Sequence, residues 1–330
     1  MMVHDEPMGR GAGTTLLLAA ACSESEPLPP LPDPCADVPA AHVLVVEETQ
    51  PASHPLPNDV AVDERYVYWV DFFADKVRRI RKDGSYVETL ANDGAPQRVA
   101  VDDQSVFWIG GLGDVRSVSK TGGSVTLWSA SSGCRIRFPC GEAIAVDTDS
   151  VYWIADARLM ARAKQNGMPK EVATQGLYTN DLLVDQTHIY WGAVVFDGTF
   201  YSAVRASPKS GGPFRTLAMF AEDQAGGGWP MAADALNIYV ARSDGIWRVP
   251  KDASGPVQVS QGPLSPRGVA TDGASVYVTE NDRVLRVSTI GGEEPAAIAC
   301  DQQAALRITV DDSSVYWNAE WADAIVETRK

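Results

Sequence analysis

Val60-Ala61-Val62-Asp63-Glu64-Arg65-Tyr66-Val67-Tyr68-Trp69 is the first of seven copies of one phrase. Each copy is a short apolar run closed by Asp, then a polar turn, then an apolar residue followed by an aromatic pair or its equivalent. The others are Val99–Asp102 with Phe107-Trp108, Ile144–Asp147 with Tyr152-Trp153, and Leu182–Asp185 with Tyr190-Trp191. Met231–Asp234 with Tyr239-Val240, Val269–Asp272 with Tyr277-Val278, and Ile308–Asp311 with Tyr316-Trp317 complete the set. Successive Asp residues lie 39, 45, 38, 49, 38 and 39 apart. A period near forty built from strands means a β-propeller, here all-β with seven four-stranded blades.

The first repeat parses into strands A (Val60–Asp63), B (Val67–Asp71), C (Lys76–Arg81) and D (Tyr86–Leu90). Between C and D, the turns Lys82-Asp83-Gly84, Lys120-Thr121-Gly122-Gly123 and Lys209-Ser210-Gly211-Gly212 supply Gly for tight hairpins. Near-continuous apolar runs in A and B fit sheets covered on both faces, so the aromatics read as blade-to-blade packing. An Asp at the end of every strand A reads as a cap on the A–B turn, not as a metal ligand. The seventh repeat lacks a strand D. The unassigned run His42–Glu48 is therefore expected to pair into blade 7 and close the ring with both termini.

The bulk numbers agree with a soluble domain. The chain has 330 residues, 45% hydrophobic and 22% charged, with a formal net charge of −15. A chain of this size buries roughly 75% of its unfolded surface. The acidic balance argues against nucleic acid as a partner.

Ahead of the repeats, residues 1–21 read as an export signal, with a short apolar run ending Ala19-Ala20-Ala21-Cys22. That end resembles the lipobox of bacterial lipoproteins, which implies lipidation of Cys22, anchorage to the outer membrane, and a periplasmic or surface location. A plain secretory signal is the alternative. Residues 22–41 are a Pro-rich tether, and 42–330 form the propeller. Four Cys remain after Cys22. Cys134 and Cys140 enclose five residues and are expected to bridge each other, leaving Cys35 to pair with Cys300; four free thiols is the other reading.

Val-Asp, a turn, Tyr-Trp and then Val77–Gly84 resemble the YWTD repeat of lipoprotein-receptor ectodomains. The repeats are equally similar to the NHL and YVTN repeats of exported bacterial propellers, as Tyr277-Val278-Thr279-Glu280 illustrates. The Thr-Asp of YWTD survives only as Asp71, and seven blades replace the usual six. Such repeats specify fold well and function poorly.

In a propeller the D–A and B–C loops surround one mouth of the central channel. That places Phe72, Phe73, Arg98, Trp229, Arg267, Arg307 and Trp321 on a single loop face, a composition suited to binding a protein or glycan. The expectation is a monomeric, non-catalytic envelope binding module without a cofactor. The runner-up follows from propeller lactonases and gluconolactonases, which hold Ca²⁺ at the channel mouth. It would use Asn58, Glu142, Asn180 and Asp181. No nucleophile elbow occurs, and the four His have no metal spacing.

Overall fold

The computed structural model describes residues 35–46, 57–130, 141–173, 181–196, 198–221, 229–262 and 264–330. Two compact units divide the chain, Met1–Asp33 and Pro34–Lys330, and every described residue belongs to the second. The expected signal, Cys22 and most of the tether lie outside the described residues, as do Cys134 and Cys140.

Seven antiparallel sheets of four strands each form the propeller. Blades 1 to 6 take residues 57–91, 96–129, 141–173, 182–221, 231–261 and 268–299 in order. Blade 7 combines residues 305–329 with the strand His42–Val46. That strand pairs His42 with Glu327 and Val46 with Ala324, so both ends of the chain close one blade, as the incomplete last repeat predicts.

Strand boundaries differ from the sequence reading in blade 1. Strand A runs Pro57–Val62, beginning three residues earlier, with a register shift between Pro57 and Asp59. Strand D is Glu88–Ala91. Tyr86 does not join it, because its φ of 58° lies in the left-handed region, where a strand cannot run.

Strand B carries the packing logic. Side chains alternate along a strand, so consecutive residues face opposite neighbours. Tyr68 packs into blade 2 with Val99 and Trp108, whereas Trp69 packs into blade 7 with Tyr316 and Ile325. The same arrangement recurs around the ring, giving one buried cluster at each of the seven junctions. Trp69, Trp108, Trp153, Trp191 and Trp317 are at most 2% exposed. Blades 5 and 6 place the smaller Val240 and Val278 at the Trp position. Phe220, Trp229 and Trp247 help fill the blade 4–5 junction instead.

A second ring lies on the face away from the loop mouth. Each strand-A Asp accepts the backbone N–H groups two and three residues ahead; Asp63 takes those of Arg65 and Tyr66, both at 2.8 Å. Its other oxygen accepts the Tyr68 hydroxyl at 2.7 Å and the Lys120 ammonium of blade 2 at 2.6 Å. In six of the seven blades a Lys just after strand C thus clasps the preceding blade. Lys251 reaches Asp185 at 2.9 Å, Lys330 reaches Asp272 at 2.8 Å, and Lys82 reaches Asp311 at 2.5 Å. Lys164 and Lys209 hold Asp102 and Asp147 in the same way. Blade 6 has Thr289 at this position, and Asp234 receives the Asn237 amide instead. The structural reading of the Asp residues is therefore correct, and the clasping Lys is an additional partner that the repeat spacing alone did not reveal.

Cys35 and Cys300 form a disulfide with Cα atoms 6.0 Å apart across 265 residues of sequence. It ties the segment entering blade 7 to the end of blade 6. Removing it by Cys35→Ser with Cys300→Ser is expected to lower unfolding free energy by about 2–4 kcal/mol. An unchanged melting temperature in the double variant would show that the bridge adds nothing to ring closure.

Candidate functional site

The central channel opens where every strand A begins. A cavity of about 140 Å³ lies there, lined by Asp59, Arg98, Asp181 and Arg307 among apolar residues such as Val99, Leu182 and Ile308. These four charges come from blades 1, 2, 4 and 7. They occupy the position just before the repeated phrase, which is why the period brings them together.

Arg307 donates to Asp181 Oδ1 at 2.8 Å, a strut from blade 7 to blade 4 across the channel. Its backbone N–H is held by Asn318 Oδ1 at 2.8 Å, and Asn318 in turn donates to the Pro57 carbonyl of blade 1. Asp181 Oδ2 accepts the Met231 N–H and Asp59 Oδ2 the Val99 N–H, each fastening strand A of the following blade. Burial pushes the Asp59 carboxyl up, against the opposing pull of Arg307 and Arg98. Burial and then the nearby Arg307 guanidinium bring Arg98 down to about 10, opposed by Asp59 and Asp181.

The seven loop-face residues read from the sequence separate into three groups. Arg98 and Arg307 point into the channel. Phe72 and Trp229 are half-buried. Phe72 meets Phe73 edge-to-face at 5.2 Å, and Trp229 lies under the Arg242 guanidinium at 5.4 Å. Phe73, Arg267 and Trp321 are exposed on the rim. The hairpin joining His188–Phe196 to Phe200–Pro208 adds Phe196 and Phe200, whose rings stand 4.7 Å apart at its tip. Blade 2 adds Leu112. Phe200 and Leu112 escaped the sequence reading because that hairpin is longer than the repeat predicts and Leu112 lies in an otherwise glycine-rich loop.

Of the four oxygen donors proposed for Ca²⁺, Asn58 Oδ1 accepts the Phe72 N–H at 2.9 Å, and Asp181 is occupied by Arg307 and Met231. Two guanidinium groups, of Arg98 and Arg307, share the channel with Asp181. These two donors do not fit an open oxygen cage for a hard cation. Asn180 lies outside the described residues, as does the side chain of Glu142. Among the described residues, no three His, Cys, Asp or Glu side chains group as metal ligands. Of the described His, His42 is near Glu327 on the ring exterior and His188 begins strand B of blade 4, next to the A–B turn on the opposite face. Neither supplies an acid–base group to the mouth.

No family model matches the sequence, nor does any curated protein. The fold is similar to that of virginiamycin B lyase from Staphylococcus aureus with quinupristin, at 12% identity and TM-score 0.67, covering 86% of this chain and 98% of that one. It is also similar to BamB from Moraxella catarrhalis, at 16% identity and TM-score 0.55, covering 82% and 84%. A chain of the nidogen/laminin complex matches at 17% identity and TM-score 0.54, covering 72% and 95%. At such identities the likeness establishes a shared propeller fold. One of these proteins is a lyase and another is seen in a protein complex, so the fold accommodates both kinds of role.

Proposed function

We propose that this chain is a non-catalytic binding module of the cell envelope that takes a protein or glycan on its loop face. The observation that carries this reading is the exposure of large apolar side chains around the channel mouth. Phe73 is 59% exposed, Phe196 65%, and Trp321 75%. The channel beneath them closes on its own ion pair. Aromatic rings held on rigid blades provide contact area at small entropic cost, as interface hot spots require. The Cys35–Cys300 bridge supports an oxidising compartment, and Cys22 would supply a lipid anchor.

Two measurements test the reading. Phe73→Ala and Trp321→Ala are each expected to weaken capture of a partner by about thirtyfold, the effect of losing a hot spot of about 2 kcal/mol, with melting unchanged. Undiminished capture by both variants would remove the loop face from recognition. Labelling cells with a palmitate analogue tests the anchor. Label is expected on the natural chain and not on Cys22→Ser, and equal labelling of both would rule out that residue.

A further inference from the structure

Three loops meet on the mouth face where blade 6 joins blade 7. They are the blade 6 turn at 280–283, the linker 300–304 that starts at the disulfide, and the 3₁₀ turn Glu320–Ala322. Backbone hydrogen bonds fasten them to one another. Gln302 N–H donates to the Asp282 carbonyl at 2.8 Å, Glu320 N–H to Ala304 at 3.0 Å, and Trp321 N–H to Gln303 at 3.1 Å. Asp323, at a φ of 50°, turns the chain back into blade 7. The backbone of Trp321 is thus held by a platform rooted in a covalent bridge, while its indole stands 75% exposed.

Two features narrow what such a ring receives. Elsewhere in the molecule, cations cover aromatic faces: Arg78 lies over Trp69, Arg162 over Trp128, and Arg242 over Trp229. Among the described residues no cation covers Trp321. The three joined loops carry Asp282, Asp301 and Glu320, with Asp282 and Asp301 exposed. The cation on these loops, Arg283, is already paired with Glu280 at 2.6 Å. An exposed π-face on a set of joined loops that carry three carboxylates complements a guanidinium or ammonium group and repels an acidic ligand. The net charge of −15 steers basic partners toward the molecule.

We infer that the Trp321 platform receives an Arg or Lys side chain from an extended basic segment of a protein partner, with the cation over the indole and the carboxylates of the joined loops pairing with it. The inference rests on the loop-face binding reading and specifies its chemistry.

The test uses the full chain and a fluorescein-labelled, acetylated peptide of alternating Arg and Gly, with a matched peptide in which citrulline replaces Arg. Anisotropy at about 50 mM salt, where charge attraction is weakly screened, reads binding. Saturable binding of the Arg peptide is expected, at least about tenfold weaker for the citrulline peptide and for Trp321→Ala. Asp282→Asn with Asp301→Asn and Glu320→Gln is expected to weaken it comparably, and Trp321→Phe to lose less than Trp321→Ala. No saturable binding, or equal affinity for natural chain and Trp321→Ala, overturns the inference. A set of neutral oligosaccharides is titrated in parallel. If these bind and lose affinity on Trp321→Ala while the Arg peptide does not bind, the cation inference falls and the loop-face reading stands. If no loop-face substitution changes binding of either probe, both fall.

Discussion

Acid is expected to open this ring between roughly pH 4 and pH 2, the interval separating free from clasped carboxyls. Burial alone would raise the Asp63 carboxyl. The Lys120 ammonium, the Arg65 and Tyr66 N–H groups and the Tyr68 hydroxyl outweigh it and bring Asp63 down to about 2. Asp272, whose partial burial is outweighed by the Lys330 ammonium, the Ser275 and Ala274 N–H groups and the Tyr277 hydroxyl, likewise falls to about 2. Asp102 and Asp147 are lowered by the same balance, in which Lys164 and Lys209 overcome burial. The native state therefore binds fewer protons than the unfolded chain in this interval. The stability contributed is complete above the ordinary carboxylate value near 3.9 and is lost as pH falls through about 2.

Lowering a carboxyl from its ordinary value near 3.9 to about 2 corresponds to roughly 2.6 kcal/mol per group. Asp63 and Asp272 are only 23% and 19% exposed at the side chain, so screening by solvent reduces this modestly. Asp63 and Asp272 together therefore account for a substantial share of the usual stability of a domain. The same hydroxyls predict a basic limit. Burial first, and then the Asp partner, push Tyr239 and Tyr277 up to about 12, so their contribution is present below 10 and fades as pH rises through 12. Circular dichroism against pH measures both limits. Lys120→Met should move the acid midpoint upward, because Asp63 then returns toward an ordinary carboxyl. A native spectrum persisting below pH 2, or a midpoint indifferent to Lys120→Met, would refute the clasp as a source of stability.

Trp317→Ala is expected to be the most damaging single change in the core, at about 3–5 kcal/mol. The indole is 0% exposed between blades 6 and 7, packed with Tyr277, Val284 and Ala299. Its Nε1–H donates to Gln302 Oε1 at 3.0 Å, so truncation also strands a partner on the linker that carries the disulfide. For a chain of this size the melting temperature should fall by about 5–10 °C. Trp321→Ala, four residues on and exposed, is the matched control and should change it by about 1 °C at most. Similar falls in both variants would mean that the junctions are not where the ring is held.

The blade junctions are legible in the sequence, because each repeat writes them locally. An apolar residue beside an aromatic, one residue apart on a strand, must face opposite sides, and both sides of a blade are covered. The N-terminal strand in blade 7 was legible for a similar reason: six complete repeats and one short by a strand leave a single place for His42–Val46. The Lys clasps were not legible in this way. Lys120 and Asp63 stand 57 residues apart, and neither residue is unusual in its own turn. Only the rotation from one blade to the next brings them into contact.

The mouth divides along the same line. Periodicity placed Phe73, Arg98, Arg307 and Trp321 on one face, because loop position follows from strand order. Direction within that face did not follow. Asn318 and the register shift in blade 7 decide that Arg307 turns inward to bridge to Asp181, while backbone bonds to Gln303 and Ala304 decide that Trp321 stands out. What the sequence by itself determined was the seven-bladed ring, its closure and the burial of its aromatics, since these depend on contacts between a repeat and its copy. The tertiary structure alone decided which charges cancel inside the channel and which ring is left for a partner. Those depend on side chains from blades three apart converging on one axis, a distance that no local pattern encodes.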